Sequence, residues 1–252
     1  MFSLRKVAGL AQVSPGALTS LAHLLDYVSY NAMRARFQQD ETGVLDYFSA
    51  AGNSLRRIND TAELDGLIAK AVRTDILNIE ALLDPKVIAS IHVAAKLLHQ
   101  GRRILIIGRR ATFGLMHYLH HLVQLIRDDA SFLDGQASID IDRIAGVTAD
   151  DVIVCCGFYP YVKEVVNLVG VAAKRGARVI SITDSKTSPL GRLGKHAVVF
   201  RVANPWVIGS LAAGTVIVQA LVAQLTVLGG TGVLPRLSAR ERALNEVGIF
   251  TR

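Results

Sequence analysis

Residues 151–185 read DVIVCCGFYPYVKEVVNLVGVAAKRGARVISITDS, and their pattern decides the fold. Val152–Cys156 is a continuous apolar run closed by Gly157, and Val179–Ile182 is a second such run. Between them, VKEVVNLVGVAAKRG carries apolar residues at helical spacing and stops at Gly176. Strands that are apolar on both faces, separated by a helix, indicate parallel strands in a sheet covered on both sides. The alternation continues outward. Upstream lie RILIIG (103–108), the helix-like GLMHYLHHLVQLI (114–126) and SFLDG (131–135). Downstream lie HAVVFRV (196–202) and a long apolar helix. The expected fold class is therefore α/β, with a doubly wound parallel sheet over residues 100–252. Ligands of such sheets sit beyond the carboxyl ends of the strands. That places three loops at a candidate site: GRRATFG (108–114), CGFYPY (156–161) and TDSKTSPLG (183–191).

Toward the N-terminus the period changes. Residues 41–99 show long helical periodicity, with Leu64, Ile68, Val72, Ile76 and Ile79 on one stripe, followed by PKVIASIHVAAKLLHQG. Pro85 suits the first turn of that helix and Gly101 its end. These helices are expected to form a linker and dimerisation segment. Residues 1–40 begin with LRKVAGLAQVSPGALTSLAHLLDY, which reads as two short helices joined by a tight turn, a small all-helical helix-turn-helix segment. Leu4, Val7, Ala8 and Ala11 make the first apolar stripe, Val13 fills the turn, and Leu18, Leu21, Ala22 and Leu25 continue the stripe. Ser14 is placed to cap the second helix, with Pro15 at its first position. Gly16, Ala17, Thr19, Ser20 and His23 are left on the outer face. In a DNA-binding unit of this shape that face enters the major groove.

The chain has 252 residues, 51% of them apolar, and a formal net charge of +7. A positive balance permits a polyanionic partner without demonstrating one. Its distribution is uneven: residues 1–60 are nearly balanced, whereas 174–201 hold Lys174, Arg175, Arg178, Lys186, Arg192, Lys195 and Arg201 against Asp184 alone. Cys155 and Cys156 are adjacent in an apolar run and provide neither a disulfide framework nor metal spacing, which fits a reducing cytoplasm. No secretory signal is visible. No charged residue lies between Arg201 and Arg236, so WVIGSLAAGTVIVQALVAQLTVL is long enough to cross a bilayer. Its Ser210, Thr215, Gln219, Gln224 and Thr226, following a strand-like segment, favour instead a helix buried between the sheet and a second subunit.

The order of VSPGALTSLA (13–22), YNAMRARF (30–37), VCCGFYPYVKEV (154–165) and ITDSKTSPLGRL (182–193) resembles the RpiR family of bacterial transcriptional regulators, over nearly the whole chain. The resemblance implies an N-terminal helix-turn-helix domain joined to a sugar isomerase (SIS) domain that senses a phosphosugar. It implies double-stranded DNA with a roughly palindromic operator as one partner, a small anionic sugar-like effector as another, and a homodimer or tetramer; no cofactor or metal is implied. Family members usually carry further helices before this point, so a shortened DNA-binding segment is expected. The DNA-facing candidates are Arg5, Lys6, Ser14, Gly16, Thr19, Ser20, His23, Arg34 and Arg36. Positions 20, 23 and 24 are often basic in the family and are Ser20, His23 and Leu24 here, which predicts weak intrinsic DNA binding, because phosphate neutralisation supplies much of the affinity.

For the effector, the candidates are Gly108, Arg109, Arg110 and Thr112 in the first loop, Gly157, Tyr159, Tyr161 and Glu164 in and after the second, and Thr183, Asp184, Ser185 and Ser188 in the third. SIS-type phosphate sites use hydroxyls and backbone N–H groups at loop-to-helix junctions. Here Ala111 and Gly157 stand where serine is common and Val165 where threonine is frequent, so a standard phosphosugar is less secure as the effector. Arg109 and Arg110 are candidate anion clamps or, alternatively, solvated surface arginines. Tyr159 and Tyr161 offer phenols or simply pack on the loop. The alternatives to a regulator are a phosphosugar isomerase, with Glu164 as the best placed carboxylate, or a sensor that has lost DNA binding. Negative charge at position 164 also suits a helix N-terminus on dipole grounds alone. His117, His120 and His121 cluster on one predicted helix but lack the glutamate of a zincin pattern, so they read as core or surface residues.

Overall fold

The structure is a computed structural model of the whole chain; it describes residues 4–24, 29–31, 49, 52–53, 55–56, 58, 60–136, 139–205 and 208–249. Two compact units divide the chain, Met1–Asn59 and Asp60–Arg252.

In the first unit, helices α1 (Leu4–Leu10) and α2 (Pro15–Leu24) are joined by a tight turn. Gln12 adopts a left-handed φ of 55°. The Val13 N–H donates to the Ala8 carbonyl (3.0 Å) and the Gln12 N–H to Gly9 (3.2 Å), the paired bonds of a Schellman closure. Ser14 Oγ accepts from the Ala17 N–H (3.1 Å), capping α2 ahead of Pro15. Ala8, Leu18, Ala22 and Tyr30 form the small core, with Leu4 and Val7 against it. Three stripe expectations need correction. Ala11, Val13 and Leu21 are exposed, because the left-handed residue swings Val13 outward instead of into the turn. Leu25 lies outside the described residues.

The second unit begins with α3 (Thr61–Glu80), capped by the Asp60 carboxylate on the Glu63 N–H (2.7 Å). A 3-10 turn (Ala81–Leu83) leads to α4 (Pro85–Gln100), with Asp84 as its N-cap, Pro85 in its first turn and Gly101 at its end. Then follow β1 (Ile104–Ile107), α5 (Phe113–Gln124), β2 (Ala130–Leu133), α6 (Ile139–Ala145), β3 (Val152–Gly157), α7 (Lys163–Lys174), β4 (Arg178–Thr183), α8 (Pro189–Leu193), β5 (His196–Val199), α9 (Ala212–Gly229) and α10 (Leu234–Val247). The five strands are parallel in the order β2-β1-β3-β4-β5, a doubly wound sheet.

Alternate strand residues build two cores. Ile104, Ile106, Val152, Val154, Cys156, Ile180 and Ile182 face α4, α5 and α9. Leu105, Ile107, Ile153, Cys155 and Val179 face α7 and α8, with Ile144 of α6 in the same cluster. Both faces are thus covered, which is why the strands read as unbroken apolar runs. Ile91, Ala94, Ala95 and Leu98 of α4 are buried in the first core. Within the second unit, Asp60–Arg252, α3 and α4 precede the sheet. The stripe on α3 is helical as expected but uncovered, with Leu64, Ile68, Val72 and Ile76 each about half exposed. Apolar α9 buries Ala213, Gly214, Ile217, Val218, Leu221 and Leu225 on the sheet side, while Val227 and Leu228 remain exposed.

At the amino ends of the strands, Asp151 is fully buried. It meets Arg102 Nη2 at 2.9 Å and Arg103 Nε at 3.1 Å, and accepts from the Thr148 N–H at 2.9 Å. Burial alone would raise its pKa; the Thr148 N–H and the two guanidinium groups outweigh burial and hold it below the usual carboxylate range.

Candidate functional site

Strand order reverses between β1 and β3, so the loops that leave these strands part and open a crevice over the carboxyl ends. Gly108 ends β1 there. A Cβ at this position would meet the Thr112 carbonyl oxygen at 2.5 Å and Met116 Cγ at 2.7 Å, so glycine is demanded by the close approach of α5. Thr112 is buried and its Oγ1 donates across to the Cys156 carbonyl (3.1 Å), pinning the first loop to β3.

Arg109, one of the two candidate clamps, is engaged by protein groups in this structure. Its Nη2 pairs with Asp140 of α6 at 2.6 Å and with Glu164 of α7 at 3.0 Å. Nε also donates to Glu164 (3.1 Å), and Nη1 donates to the Gly108 and Leu133 carbonyls. The fork is filled by two carboxylates and two carbonyls, and the side chain is only 10% exposed. Burial works against the charge, but the hydrogen bonds to Glu164 and Asp140 prevail and raise the pKa above its ordinary value. Glu164 is consequently tied to Arg109 rather than free in the crevice. Arg110, exposed and with a left-handed φ of 51°, has no carboxylate partner among the described residues.

A second network joins the loops after β3 and β4. Tyr161 donates its phenol proton to Asp184 Oδ1 (2.6 Å), and the Tyr159 N–H donates to Asp184 Oδ2 (3.1 Å). Thr183 Oγ1 donates to the Gly157 carbonyl (2.7 Å) and lies 3.0 Å from Ser188 Oγ. Ser188 caps α8 by accepting from the Gly191 N–H (2.9 Å). Burial and the adjacent Asp184 both push the Tyr161 phenol pKa well up, so it stays protonated and donating. Ser185 is half-buried and shares a 2.8 Å contact with Thr187. At Gly157 a Cβ would come within 2.6 Å of Leu190 Cδ1, so the missing serine is matched by α8 packing against the loop.

The structure therefore brings together Tyr159, Tyr161, Thr183, Asp184, Ser188 and Gly157, and separately Arg109, Thr112, Glu164 and Gly108. Sequence reading missed Asp140, which closes the second group. The histidines lie elsewhere: His117 and His120 pack on Phe132 (5.4 and 5.9 Å) along a cleft of about 460 Å³ at the β2 edge, also lined by Phe113 and Arg143. Burial lowers the His120 pKa. In the N-terminal unit, Arg5, Lys6, Gly16, Ser20 and His23 are exposed and Thr19 is half-buried, donating to the Pro15 carbonyl (3.3 Å); Arg34 and Arg36 lie outside the described residues.

No curated protein matches this sequence. Among solved structures, the sugar isomerase domain of an RpiR transcription factor from Sphaerobacter thermophilus is similar at 21% identity and a TM-score of 0.65, covering 70% of this chain and 98% of that one. The Vibrio vulnificus NanR protein complexed with ManNAc-6P is similar at 19% identity and a TM-score of 0.63, covering 99% of this chain and 87% of that one. A protein from Escherichia coli is similar at 17% identity and a TM-score of 0.53, covering 66% of this chain and 92% of that one. These likenesses extend the parallel-sheet architecture to other proteins. The family model for the SIS domain matches residues 97–229, which hold all five strands and both loop networks, and with that match over more than half its length the chain belongs to the SIS domain family.

Proposed function

We propose that the protein is a cytoplasmic DNA-binding transcriptional regulator of the RpiR type, whose SIS domain senses an anionic sugar metabolite, and that it is not an enzyme. The carrying observation is the pairing of a capped two-helix unit, whose second helix leaves Gly16, Ser20 and His23 open, with a SIS sheet. The likeness to NanR, a protein complexed with ManNAc-6P, supports this because it runs through both parts of the chain. Against an isomerase stands the state of the carboxylates: Glu164 is held by Arg109 and Asp184 by Tyr161, so neither is a free base poised over the crevice. Arg110 and the crevice walls offer charge and hydrogen bonding to a phosphate. Two copies would meet through the apolar stripe of α3, giving a two-fold dimer and a roughly palindromic operator.

Calorimetric titration against hexose and N-acetylhexosamine 6-phosphates, with anisotropy on DNA from around the protein's own gene, tests this reading. The expected result is one saturable sugar phosphate, no turnover of it, and weak DNA binding that the ligand changes. A blank panel together with no DNA binding at low salt refutes it, and turnover of a sugar phosphate makes the isomerase the correct reading.

A further inference from the structure

Asn78 on α3 is completely buried, and it is the point at which that helix grips the segment after β5. Its Nδ2 donates to the Ala203 carbonyl at 2.7 Å, 125 residues away, and lies 3.3 Å from Asp75 Oδ1. Both partners are acceptors, so the amide can face them only through its NH₂ group, and its orientation is fixed by the network. Among the described residues, Oδ1 is buried without a partner. A buried acceptor without a donor is costly, and a leucine there would be cheaper unless the donor bonds are needed.

Ala203 belongs to the segment 200–211 that follows β5. The Phe200 N–H donates to the Thr183 carbonyl (3.0 Å), which ties the segment to the third ligand loop. The Ser210 N–H donates to the Val202 carbonyl (3.1 Å), closing the segment on itself. Gly209 sits so close to Phe158, next to Gly157 in the second ligand loop, that a Cβ would lie 2.9 Å from Phe158 Cε2 and 3.1 Å from Val202 Cβ. A run of contacts therefore leads from Thr183 and Phe158 of two ligand loops, through Phe200, Val202 and Gly209, to Ala203 and Asn78.

We infer that Asn78 is a positioning residue that couples the segment after β5, which abuts Thr183 and Phe158 of two ligand loops, to α3, so that a displacement of this segment, the wall referred to below, is felt in the helix that leads back to the N-terminal unit. Its use as a relay for an effector rests on the function proposed above; the coupling itself does not. Proximity alone would not transmit anything, because coupling needs two ends that bias one another.

Hydrogen exchange read by mass spectrometry on the full chain, without ligand, tests this as a cycle of Gly209→Ala and Asn78→Leu, with Asn78→Asp as a second variant of nearly unchanged size. Gly209→Ala pushes the wall and is expected to raise exchange over residues 74–82 about tenfold, the scale of one lost hydrogen bond. Asn78→Leu is expected to raise exchange over 200–211 and to abolish the response of 74–82 to Gly209→Ala; Asn78→Asp, which turns an acceptor toward the Ala203 carbonyl, is expected to do the same. If Gly209→Ala affects 74–82 equally in both backgrounds, or if neither Asn78 variant alters 200–211, the inference is overturned. The cycle contains no sugar phosphate, so a failed effector titration sinks the functional reading and leaves the coupling between wall and helix untouched.

Discussion

Replacing Arg109 by methionine separates a structural arginine from a ligand clamp. The change keeps the stem of the side chain and deletes the fork. Asp140 is the partner that decides the magnitude: both side chains are nearly buried, at 10% and 5% exposure, and their nitrogen and oxygen are 2.6 Å apart. After the substitution Asp140 retains the Gly135 N–H (2.8 Å) but loses its only cation among the described residues. Breaking one side of a buried pair costs about 3–5 kcal/mol. The Glu164 arm adds little, because Glu164 is 53% exposed and such pairs contribute about 0–1 kcal/mol. For a unit of this size, Arg109→Met should lower Tm by about 6–20 °C. Glu164→Gln should stay within about 1 kcal/mol of the parent, and Asp140→Asn should cost more than Glu164→Gln. Urea unfolding followed by circular dichroism measures all three. If Arg109→Met unfolds within about 1 kcal/mol of the parent, or Glu164→Gln costs as much as Asp140→Asn, the tether argument is wrong and Arg109 returns as a clamp.

Three further outcomes are expected. Gly108→Ala puts a methyl against the Thr112 carbonyl oxygen, which cannot rotate away, and should destabilise by about 3 kcal/mol in the same assay. Asp151→Asn, which sets a buried amide against the solvent-reaching Arg102 and Arg103, should cost about 1–3 kcal/mol at pH 7. Since the folded pKa of Asp151 is depressed, its stabilisation is present above the ordinary value of about 3.9 and fades as pH falls through the folded value. The gap between parent and variant should therefore narrow in acid, and a gap that widens there contradicts the assignment. Cys155 and Cys156 are essentially unexposed, and burial pushes the Cys155 thiol up to about 12, so a thiol reagent at pH 8 should label neither until urea unfolds the sheet.

Strands β1 and β3 were legible as unbroken apolar runs and β2, β4 and β5 as short apolar stretches broken by Ser131 or Ser181 or opened by His196, and helices α4, α5, α7 and α9 because their apolar residues recur at helical spacing. The short α6 and α8 were not. Five to seven residues give too few turns for a period, and α8 lies inside TDSKTSPLG, whose composition suits a loop equally well. Site positions were legible as loop ends, whereas their chemistry was not. Arg109 looked available since both of its carboxylates come from other elements, 31 and 55 residues downstream. The Asp151 cluster left a faint trace. β1 pairs with β3 so that Ile104 lies beside Val152, which sets Arg103 next to Asp151, and a buried acid just before an apolar strand needs such a neighbour. Asn78 left none, since a lone asparagine on a polar-looking helix face has no pattern.

Helix α3 has a mechanical consequence of its own. From Asn78 back to Thr61 an α-helix spans about 26 Å, and Leu64, Ile68, Val72 and Ile76 lie about half exposed along that length. Under the coupling inferred above, the helix would act as a lever pivoting at Asn78. A tilt of about 5° at Asn78 carries Thr61 through about 2 Å, roughly the rise of one helical residue. Small adjustments near the strand ends are thereby enlarged at the point where the preceding chain begins.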